Sequence, residues 1–341
     1  MTVGIGIVGS GFMSRTYAYG IRELVPDARL AAVFGGHRAP ELARDFGLAV
    51  EPSLDALTAR ADVDVILLGS PTFFHRDQTL AAARAGKHVF TEKPIAATLP
   101  EIDAMIRACR DAGVLLGVNA VTRWRKGVRM AKGLVDDGAI GEVRMIRHTY
   151  AFPAGAFADP GHWIMDPRSG SPFLDQGAHC NDAIRWFLGS DATTAYAVYG
   201  DFTNTSPPGQ SAMVTFSFAS GAMCQIWASY EWAYAPDPDK TIDYLLVGSR
   251  GMIEVGYRGA LRIHRGRDWE TLYVHPPVRQ PDPDVPFAYP YAEQIQDFVD
   301  AIREKREPEV NGEVARKGIE MALAADRSAA TGEVVRLPLS D

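Results

Sequence analysis

The start of the chain carries the pattern that most restricts its fold. A short apolar run at residues 3–8 is broken by Gly9, Ser10 and Gly11 and is followed at once by apolar residues at helical spacing. Apolar runs and helical patterns then alternate up to residue 118. Because parallel strands are joined by long, right-handed crossovers, this alternation predicts a parallel sheet covered by helices on both faces. The first third of the chain is therefore predicted to be a doubly wound Rossmann domain of the α/β class.

The second part of the chain has a different rhythm. A helical pattern at 126–135, an apolar run at 143–152 and a predicted helix at 177–188 are followed by six predicted strands between 194 and 264. Successive strands without helices between them indicate a mostly antiparallel sheet. Helical patterns at 291–304 and 312–330 close the sequence. We expect a first domain at 1–121 and, at 122–341, a second domain of the α+β type with a mostly antiparallel sheet. Its terminal helices could pack back on the first domain.

Composition and charge exclude several classes of protein. Charged residues make up 23% of the 341-residue chain and the formal net charge is −7, which argues against a protein that binds nucleic-acid phosphates. The three cysteines, Cys109, Cys180 and Cys224, lie far apart without C-x-x-C spacing, so neither a disulfide framework nor a structural metal site is predicted. No apolar stretch approaches the roughly 20 residues of a membrane span, and no basic segment precedes the first strand. We expect a cytoplasmic protein with no membrane partner.

The glycine-rich turn is the first candidate binding element. Glycines in a strand–turn–helix unit allow a tight turn and let a pyrophosphate approach backbone N–H groups at the helix N-terminus. Ser14 stands at the position of a third glycine and is small enough for close packing of helix and sheet. A turn that binds nothing is the alternative. We favour a nucleotide site with these candidate residues: Gly9, Ser10, Gly11, Phe12 and Met13.

The end of the second predicted strand bears on the choice of cofactor. NAD-preferring domains place an Asp or Glu about 20 residues beyond the glycine loop, where it binds the ribose 2′-hydroxyl. Here the residues after the strand are Gly35, Gly36, His37 and Arg38, and no acid is among them. The planar, charged guanidinium of Arg38 suits a 2′-phosphate. We therefore predict that Gly36, His37 and Arg38 contact the cofactor and that NADP is preferred over NAD, the alternative being a solvated Arg38 and an NAD site.

A lysine follows another predicted strand, at 88–90. Lys93 would lie at the carboxyl end of that strand, and this edge of an open α/β sheet faces the ligand crevice. An ammonium group there can stabilise an alkoxide or polarise a carbonyl. By itself, an exposed lysine before a turn proline explains the residue as well.

The predicted helix at 177–188 is preceded and opened by ionisable residues. If the helix begins near Gly177, Asp175 can reach its first N–H groups, and His179 projects from the first turn. The positive end of a helix favours a carboxylate and a neutral imidazole, and a general base must be neutral. The alternative is a capping aspartate with a structural histidine. No cysteine or second histidine at ligand spacing accompanies the group, so no metal is predicted.

Two aromatic–polar pairs complete the candidate residues. Arg123 with Trp124, and His162 with Trp163, suit stacking on a sugar ring or nicotinamide together with hydrogen bonds to hydroxyls. A core tryptophan beside a surface charge is an equal alternative. We name all four as candidate substrate-binding residues.

Together these motifs resemble the Gfo/Idh/MocA oxidoreductases, the family of glucose–fructose oxidoreductase and inositol dehydrogenase. The matching segments are Gly-Ile-Val-Gly-Ser-Gly at 6–11, Ser-Pro-Thr-Phe-Phe-His at 70–75, Gly-Lys-His-Val-Phe-Thr-Glu-Lys-Pro at 86–94 and Asp-Gln-Gly-Ala-His-Cys-Asn-Asp at 175–182. The pattern from Tyr291 to Gly332 is also similar, so the resemblance spans nearly the whole chain.

The resemblance implies that 1–121 is a dinucleotide-binding domain and that the large open-faced sheet of 122–341 serves substrate binding and oligomerisation. It also implies a catalytic group and a crevice. It assigns His179 to accept the hydroxyl proton, Lys93 to hold the developing alkoxide and Asp175 to orient and support both, and the same three residues to bind substrate. It also implies a cis Lys93–Pro94 bond. The residues that it places along the cofactor crevice are Ser70, Pro71, His75, Glu92, Lys93 and Asn119.

The function that follows is hydride transfer. We expect an NAD(P)-dependent dehydrogenase or reductase that acts on a ring hydroxyl or carbonyl of a sugar, inositol or related polyol. One alternative is a glycosidase or lyase of the same fold that retains and regenerates its cofactor. The other is a cofactor-binding regulator without turnover, which would need neither the lysine nor the histidine.

One predicted strand also indicates self-association. In 223–230 both faces carry large apolar groups, Met223 and Trp227 on one and Ile226 and Tyr230 on the other. A sheet with one face in water should alternate more cleanly, so contact with a second copy is expected. The prediction is a homodimer or homotetramer through the C-terminal sheet, and local burial under a loop is the alternative.

Overall fold

The fold is seen in a computed structural model that describes residues 2–153, 163–202, 209–232, 242–257, 260–275 and 285–340. The described residues divide into two compact units. The first comprises those within Met1–Val121 and Val278–Arg316, and the second those within Thr122–Pro277 and Lys317–Asp341. Both units contain a sheet with helices packed against it.

The sheet of the first unit has, among the described residues, six parallel strands in the order β3-β2-β1-β4-β5-β6. Every residue of β1 and β4 is buried, as expected for strands covered on both faces. The order reverses between β1 and β4, and in such sheets ligands bind outside the carboxyl ends of the strands at this point. The strands are β1 (Val3–Val8), β2 (Ala28–Phe34), β3 (Ala49–Val50), β4 (Val65–Leu68), β5 (His88–Thr91) and β6 (Leu116–Val118).

Helices account for the connections and for the end of the chain. They are α1 (Phe12–Leu24), α2 (Ala39–Phe46), α3 (Leu54–Thr58), α4 (Thr72–Arg84), α5 (Leu99–Asp111), α6 (Lys126–Asp136), α7 (Pro172–Leu188), α8 (Val285–Glu304) and α9 (Gly312–Thr331). In the first unit α8 packs on α1, where a side chain at Gly20 would come within 3.3 Å of the Ala288 carbonyl oxygen. Tyr17, Ile21 and Phe298 join the same buried cluster. The packing of α8 therefore extends the core of the first unit.

The sheet of the second unit has, in the described part of the chain, nine strands in the order β14-β13-β12-β11-β7-β10-β9-β8-β15. Only β7 and β10 pair in parallel, and the other neighbours are antiparallel. Helix α7 packs against β7 and β10. The strands are β7 (Val143–Pro153), β8 (Ala192–Gly200), β9 (Ser211–Phe218), β10 (Met223–Trp232), β11 (Ile242–Gly248), β12 (Met252–Gly256), β13 (Ala260–His264), β14 (Trp269–Val274) and β15 (Val335–Arg336).

The predicted fold class is confirmed, and several details differ. The prediction that the helix begins near Gly177 is wrong, because α7 begins at Pro172. The Ser171 side chain caps it by accepting a hydrogen bond from Leu174 N, and proline suits the first turn because its missing N–H has no helical partner there. Asp175 is therefore not the cap, and His179 lies beyond the first turn. The short elements β3, α3, β14 and β15 were not predicted.

No helix within the described ranges is both long enough and apolar enough to cross a membrane.

Candidate active site

The glycine turn between β1 and α1 has the properties of a phosphate cradle. Gly9 has a φ of +98°, and a side chain there would come within 2.8 Å of the Gly69 carbonyl oxygen. Gly11 is the N-cap of α1; no side chain caps the helix, its first turn has no acidic residue, and the space beside Gly11 is open. A pyrophosphate could therefore accept from the first N–H groups of α1. The other loop candidates lie here too: Ser10 is buried, Met13 half-buried and Phe12 exposed.

Ser14 stands at the third-glycine position of this turn and packs against Gly69. Ser14 is fully buried, and a side chain at Gly69 would come within 2.5 Å of its Oγ. The room for close packing of α1 against the sheet is thus supplied by Gly69 as well as by the small Ser14.

The turn after β2 rests on the glycine turn. Gly35 and Gly36 both have positive φ, and a side chain at Gly36 would come within 2.3 Å of Ser10 Oγ. The Arg38 amide donates to the same Oγ at 3.1 Å. The side chains of His37 and Arg38 are exposed, and no acid occupies the turn.

The turn after β4 contains the candidates Ser70, Pro71 and His75. Ser70 Oγ donates to Gln78 Oε1 at 2.5 Å, and Pro71 precedes the first residue of α4. The buried His75 ring places Nε2 2.8 Å from Ser70 O and Nδ1 3.0 Å from Pro94 O. Burial lowers the pKa of His75, which favours the neutral ring. His75 thus contacts the backbone of the turn after β4 and the backbone of the lysine-bearing turn after β5.

Lys93 follows β5 at the carboxyl edge of the parallel sheet and is half-buried. The Lys93–Pro94 bond is cis, which confirms that prediction. The Lys93 amide donates to Glu92 Oε2 at 3.0 Å. Glu92 itself is buried, and Asn119 Nδ2 donates to both of its oxygens at 2.8 and 2.9 Å. The structure therefore brings Glu92, Lys93 and Asn119 together within the first unit.

Asp175 and His179 lie one turn apart on α7 in the second unit. Asp175 is buried, and the Tyr230 hydroxyl donates to its Oδ2 at 2.6 Å. Burial and the Asp175 charge hold the pKa of Tyr230 well above its usual value, so the phenol stays protonated. His179 is half-buried and stacks on Tyr150 with ring centroids 5.8 Å apart. An imidazole and a hydrogen-bonded carboxylate are thus held beside aromatic rings.

The remaining candidates in the second unit differ in their surroundings. Arg123 donates from Nε and Nη2 to the two oxygens of Asp182 at 2.8 and 2.6 Å, and both side chains are about 5% exposed. Trp124 is half-buried, and Cζ of the Arg129 guanidinium lies 4.2 Å from the centroid of the Trp124 ring. Trp163 is half-buried, and His162 lies outside the described residues.

Several partners of the candidate residues were not assigned from the sequence. Tyr17 has the spacing of an ordinary core position of α1, and Gln294 has no motif around it. Tyr230 stands at the end of the predicted strand 223–230, and its neighbours in the sequence indicate no particular role. The alternation of β10 places Tyr230 on its buried face, and this was the one local signal available. Within the described residues, no group of three His, Cys, Asp or Glu side chains could hold a metal ion.

Comparison with known proteins gives similar relatives over most of the chain. The inositol 2-dehydrogenase of Rhizobium meliloti (strain 1021) is 29% identical over 336 residues, which cover 97% of this chain and 98% of that protein. The 2,7-anhydro-N-acetylneuraminate hydratase of Mediterraneibacter gnavus is 36% identical over 142 residues, 42% of this chain and 38% of that protein. The crystal structure of aldose-aldose oxidoreductase from Caulobacter crescentus, complexed with glycerol, has a TM-score of 0.85 and 26% identity, and covers 99% of this chain and 100% of that one.

Family descriptions match both parts of the chain. Residues 3–120 match the oxidoreductase family with an NAD-binding Rossmann fold, and residues 128–254 match the GFO/IDH/MocA C-terminal domain. The glycine turn described above has the uncapped helix end and open space that a dinucleotide pyrophosphate requires. The chain therefore belongs to the GFO/IDH/MocA oxidoreductase family.

Proposed function

We propose that this oxidoreductase transfers a hydride between a nicotinamide cofactor and a ring hydroxyl or carbonyl of a sugar, inositol or related polyol. The observation that carries the proposal is Lys93, which follows β5 at the carboxyl edge of an NAD-binding sheet and is anchored through its backbone. Hydride transfer from an alcohol to a nicotinamide passes through negative charge on the oxygen of the reacting carbon, and an ammonium group stabilises that charge. The inositol and aldose enzymes among the relatives support the substrate class.

Three residues are proposed as catalytic and substrate-binding. His179 accepts the hydroxyl proton, Lys93 stabilises the alkoxide that forms, and Asp175 orients and electrostatically supports the group. Tyr230 keeps the Asp175 carboxylate in place through its hydrogen bond. The bound nicotinamide supplies hydride chemistry. Trp124, Trp163, His162 and Arg123 remain proposed contacts of the substrate, although the Arg123 guanidinium also pairs with Asp182.

Residues 9–13, 36–38, 70, 71, 75 and 93 remain the proposed cofactor-binding set, and residues 92 and 119 are proposed to line the same crevice. The first unit is proposed as the cofactor domain and the second as the substrate domain. A panel of inositols, aldoses and anhydro sugars tests the function. The purified protein is mixed with each compound and with NAD or NADP, and nicotinamide absorbance is followed. Steady accumulation of reduced cofactor on at least one polyol or sugar is expected. No reduction by any compound of the panel would count against the dehydrogenase.

The second candidate function is a lyase, hydratase or glycosidase that retains its cofactor. The likeness of 142 residues to an anhydro-sugar acid hydratase favours it. Such an enzyme would convert an anhydro sugar while the total reduced cofactor stays constant. A regulator would bind cofactor without either reaction. Product analysis by mass spectrometry beside the absorbance trace separates the three.

NADP preference is a further prediction for the first unit. Arg38 is exposed in a turn without acids, so Arg38→Ala should weaken NADP binding by about tenfold, or about 1.4 kcal/mol, and leave NAD binding unchanged. Arg38→Lys, which keeps the charge but loses the planar fork, should fall in between. Both affinities are measured by cofactor titration at low and high salt, and the preference should shrink at high salt. Tighter binding of NAD than of NADP by the unchanged protein would contradict the prediction.

Self-association through the sheet of the second unit is also proposed. Val198, Met213 and Trp227 occupy adjacent register positions on β8, β9 and β10, and they are 57%, 57% and 46% exposed. An apolar row of this size on a protein surface is typical of an interface, and a second copy presents the same row. Met213→Glu is expected to convert a dimer or tetramer to monomers in sedimentation experiments. Val50→Glu, at an exposed position of β3, is the control that should leave assembly unchanged. A monomeric unchanged protein at micromolar concentration would exclude the interface.

A further inference from the structure

Four hydrogen-bond contacts converge on the carboxylate of Glu92. The Tyr17 hydroxyl donates to Oε1 at 2.8 Å, Asn119 Nδ2 lies 2.8 and 2.9 Å from the two oxygens, and the Lys93 amide donates to Oε2 at 3.0 Å. Glu92 is only 7% exposed. Both carboxylate oxygens of Glu92 therefore accept hydrogen bonds from within the protein. Because every partner is a donor, the side chain at this position must be a hydrogen-bond acceptor that carries no donor of its own.

Gln294 and the Val121 amide in turn fix the donors around Glu92 through hydrogen bonds. Gln294 on α8 donates from Nε2 to Tyr17 Oη and to Asn119 Oδ1, each at 3.2 Å. The Val121 amide donates to Asn119 Oδ1 at 2.9 Å. Because Asn119 Oδ1 accepts twice, its amide nitrogen must face Glu92. The orientation of the carboxylate is therefore determined by residues of α1, α8 and the turn after β6.

Hydrogen bonds offset part of the cost of burying the Glu92 carboxylate. Burial raises the pKa of the Glu92 carboxyl, and the bonds from Asn119 and Tyr17 and the positive charge of Lys93 oppose that rise. Burial together with Glu92 holds the pKa of Tyr17 well above its usual value, so its hydroxyl remains a donor. A buried carboxylate with this many donors is rigid, since moving it would leave several groups unsatisfied.

The backbone at Lys93 is consequently held on both sides. Its amide is bound by Glu92, and the carbonyl of the next residue, Pro94, is 3.0 Å from the His75 ring. The direction of a side chain follows from the placement of its backbone, and an error of 1 Å in a reacting group can cost about 10²-fold in rate.

We propose that Glu92 is a positioning residue for Lys93 and not a ligand of the cofactor, and that Tyr17 and Asn119 hold Glu92 for this task. The inference rests on the proposed role of Lys93 in hydride transfer. On this assignment Glu92 and Asn119 line the cofactor crevice without binding the cofactor directly.

Two substitutions and one matched control test the proposal. Glu92→Gln offers an amide NH₂ where a donor already points, and kcat is expected to fall by about 10²-fold. Tyr17→Phe keeps the ring packed against Phe90 and removes one donor, with about a tenfold loss of kcat and normal folding. Tyr19→Phe makes the same chemical change two residues away on α1 and should leave kcat unchanged.

The readouts separate positioning from cofactor binding and from simple destabilisation. Kinetics use the most active compound of the panel, cofactor affinity is measured by NADH titration, and hydrogen exchange of residues 92–96 is measured by mass spectrometry without cofactor. Lower kcat with unchanged NADH affinity and faster exchange of this segment in Glu92→Gln and Tyr17→Phe is the expected result.

Two results would overturn the inference. A loss of NADH affinity that matches the loss of kcat would make Glu92 a cofactor ligand, and unchanged kcat and exchange in Tyr17→Phe would make the network merely structural. Failure of the proposed function would appear in other measurements. Either the unchanged protein would reduce no cofactor, or the Lys93→Ala variant would remain active. The exchange measurement needs no turnover, so it tests the positioning in that case too.

Discussion

Replacing Lys93 by alanine is expected to lower kcat by about 10²–10³-fold, because it removes the positive charge that stabilises the developing alkoxide. Lys93 follows β5 at the ligand-facing edge of the parallel sheet, and its amide is fixed by Glu92. The substitution leaves the glycine turn intact, so NADH affinity should change little. Steady-state kinetics on the most active compound of the panel, with NADH titration alongside, measure both quantities.

Lys93→Arg is the matched control for this prediction. It keeps a positive charge but carries a larger, planar group, so it should retain more activity than the alanine variant without reaching that of the unchanged protein. If Lys93→Ala works at a near-normal rate, the lysine has no catalytic role and only precedes the turn proline.

Replacing Asp182 by asparagine is expected to lower the free energy of unfolding of the second unit by about 3–5 kcal/mol. Arg123 and Asp182 form two parallel hydrogen bonds, and both side chains are about 5% exposed. Asparagine preserves the shape but removes the negative charge that faces the buried Arg123 guanidinium. All six tryptophans lie between residues 124 and 269, so urea unfolding followed by tryptophan fluorescence reports on this unit.

The double variant Arg123→Met with Asp182→Leu is the control. Replacing a buried ion pair by apolar residues of similar volume is often neutral, so this protein should recover most of the lost stability. An unfolding midpoint of Asp182→Asn equal to that of the unchanged protein would show that the pair is effectively solvated. Substrate kinetics of the double variant also test whether the Arg123 guanidinium contacts the substrate.

Much of the first unit could be predicted from local pattern. The alternation of apolar runs and helical spacing specifies the parallel sheet, since a strand buried on both faces needs an unbroken apolar run such as β1. The glycine turn was also predicted from the sequence. The structure explains why its first residue is glycine, since Gly9 has a φ of +98° and no room for a side chain against Gly69. Lys93 could be identified as a candidate site residue because it follows a predicted strand.

Local pattern was less reliable where one element offers two start signals. The sequence pattern predicts that α7 begins near Gly177, but Ser171 and Pro172 provide the cap and the first residue. Gly177 is accommodated inside the helix close to Asn181 and Phe173, so its lack of a side chain serves packing and not a turn. Helix α8 was placed from residue 291 onward, and the structure begins it at Val285, ahead of Pro290.

The sequence by itself determined the class of fold, the family and the edge of the sheet at which Lys93 stands, because these depend on periodicity and on short motifs. Only the tertiary structure decided which groups hold the candidate residues in place. Glu92 meets Tyr17, 75 residues away, and Arg123 meets Asp182, 59 residues away. Hydrogen-bond partners at such separations leave no periodic trace, since each is selected by the packing of whole helices and strands and not by its neighbours along the chain.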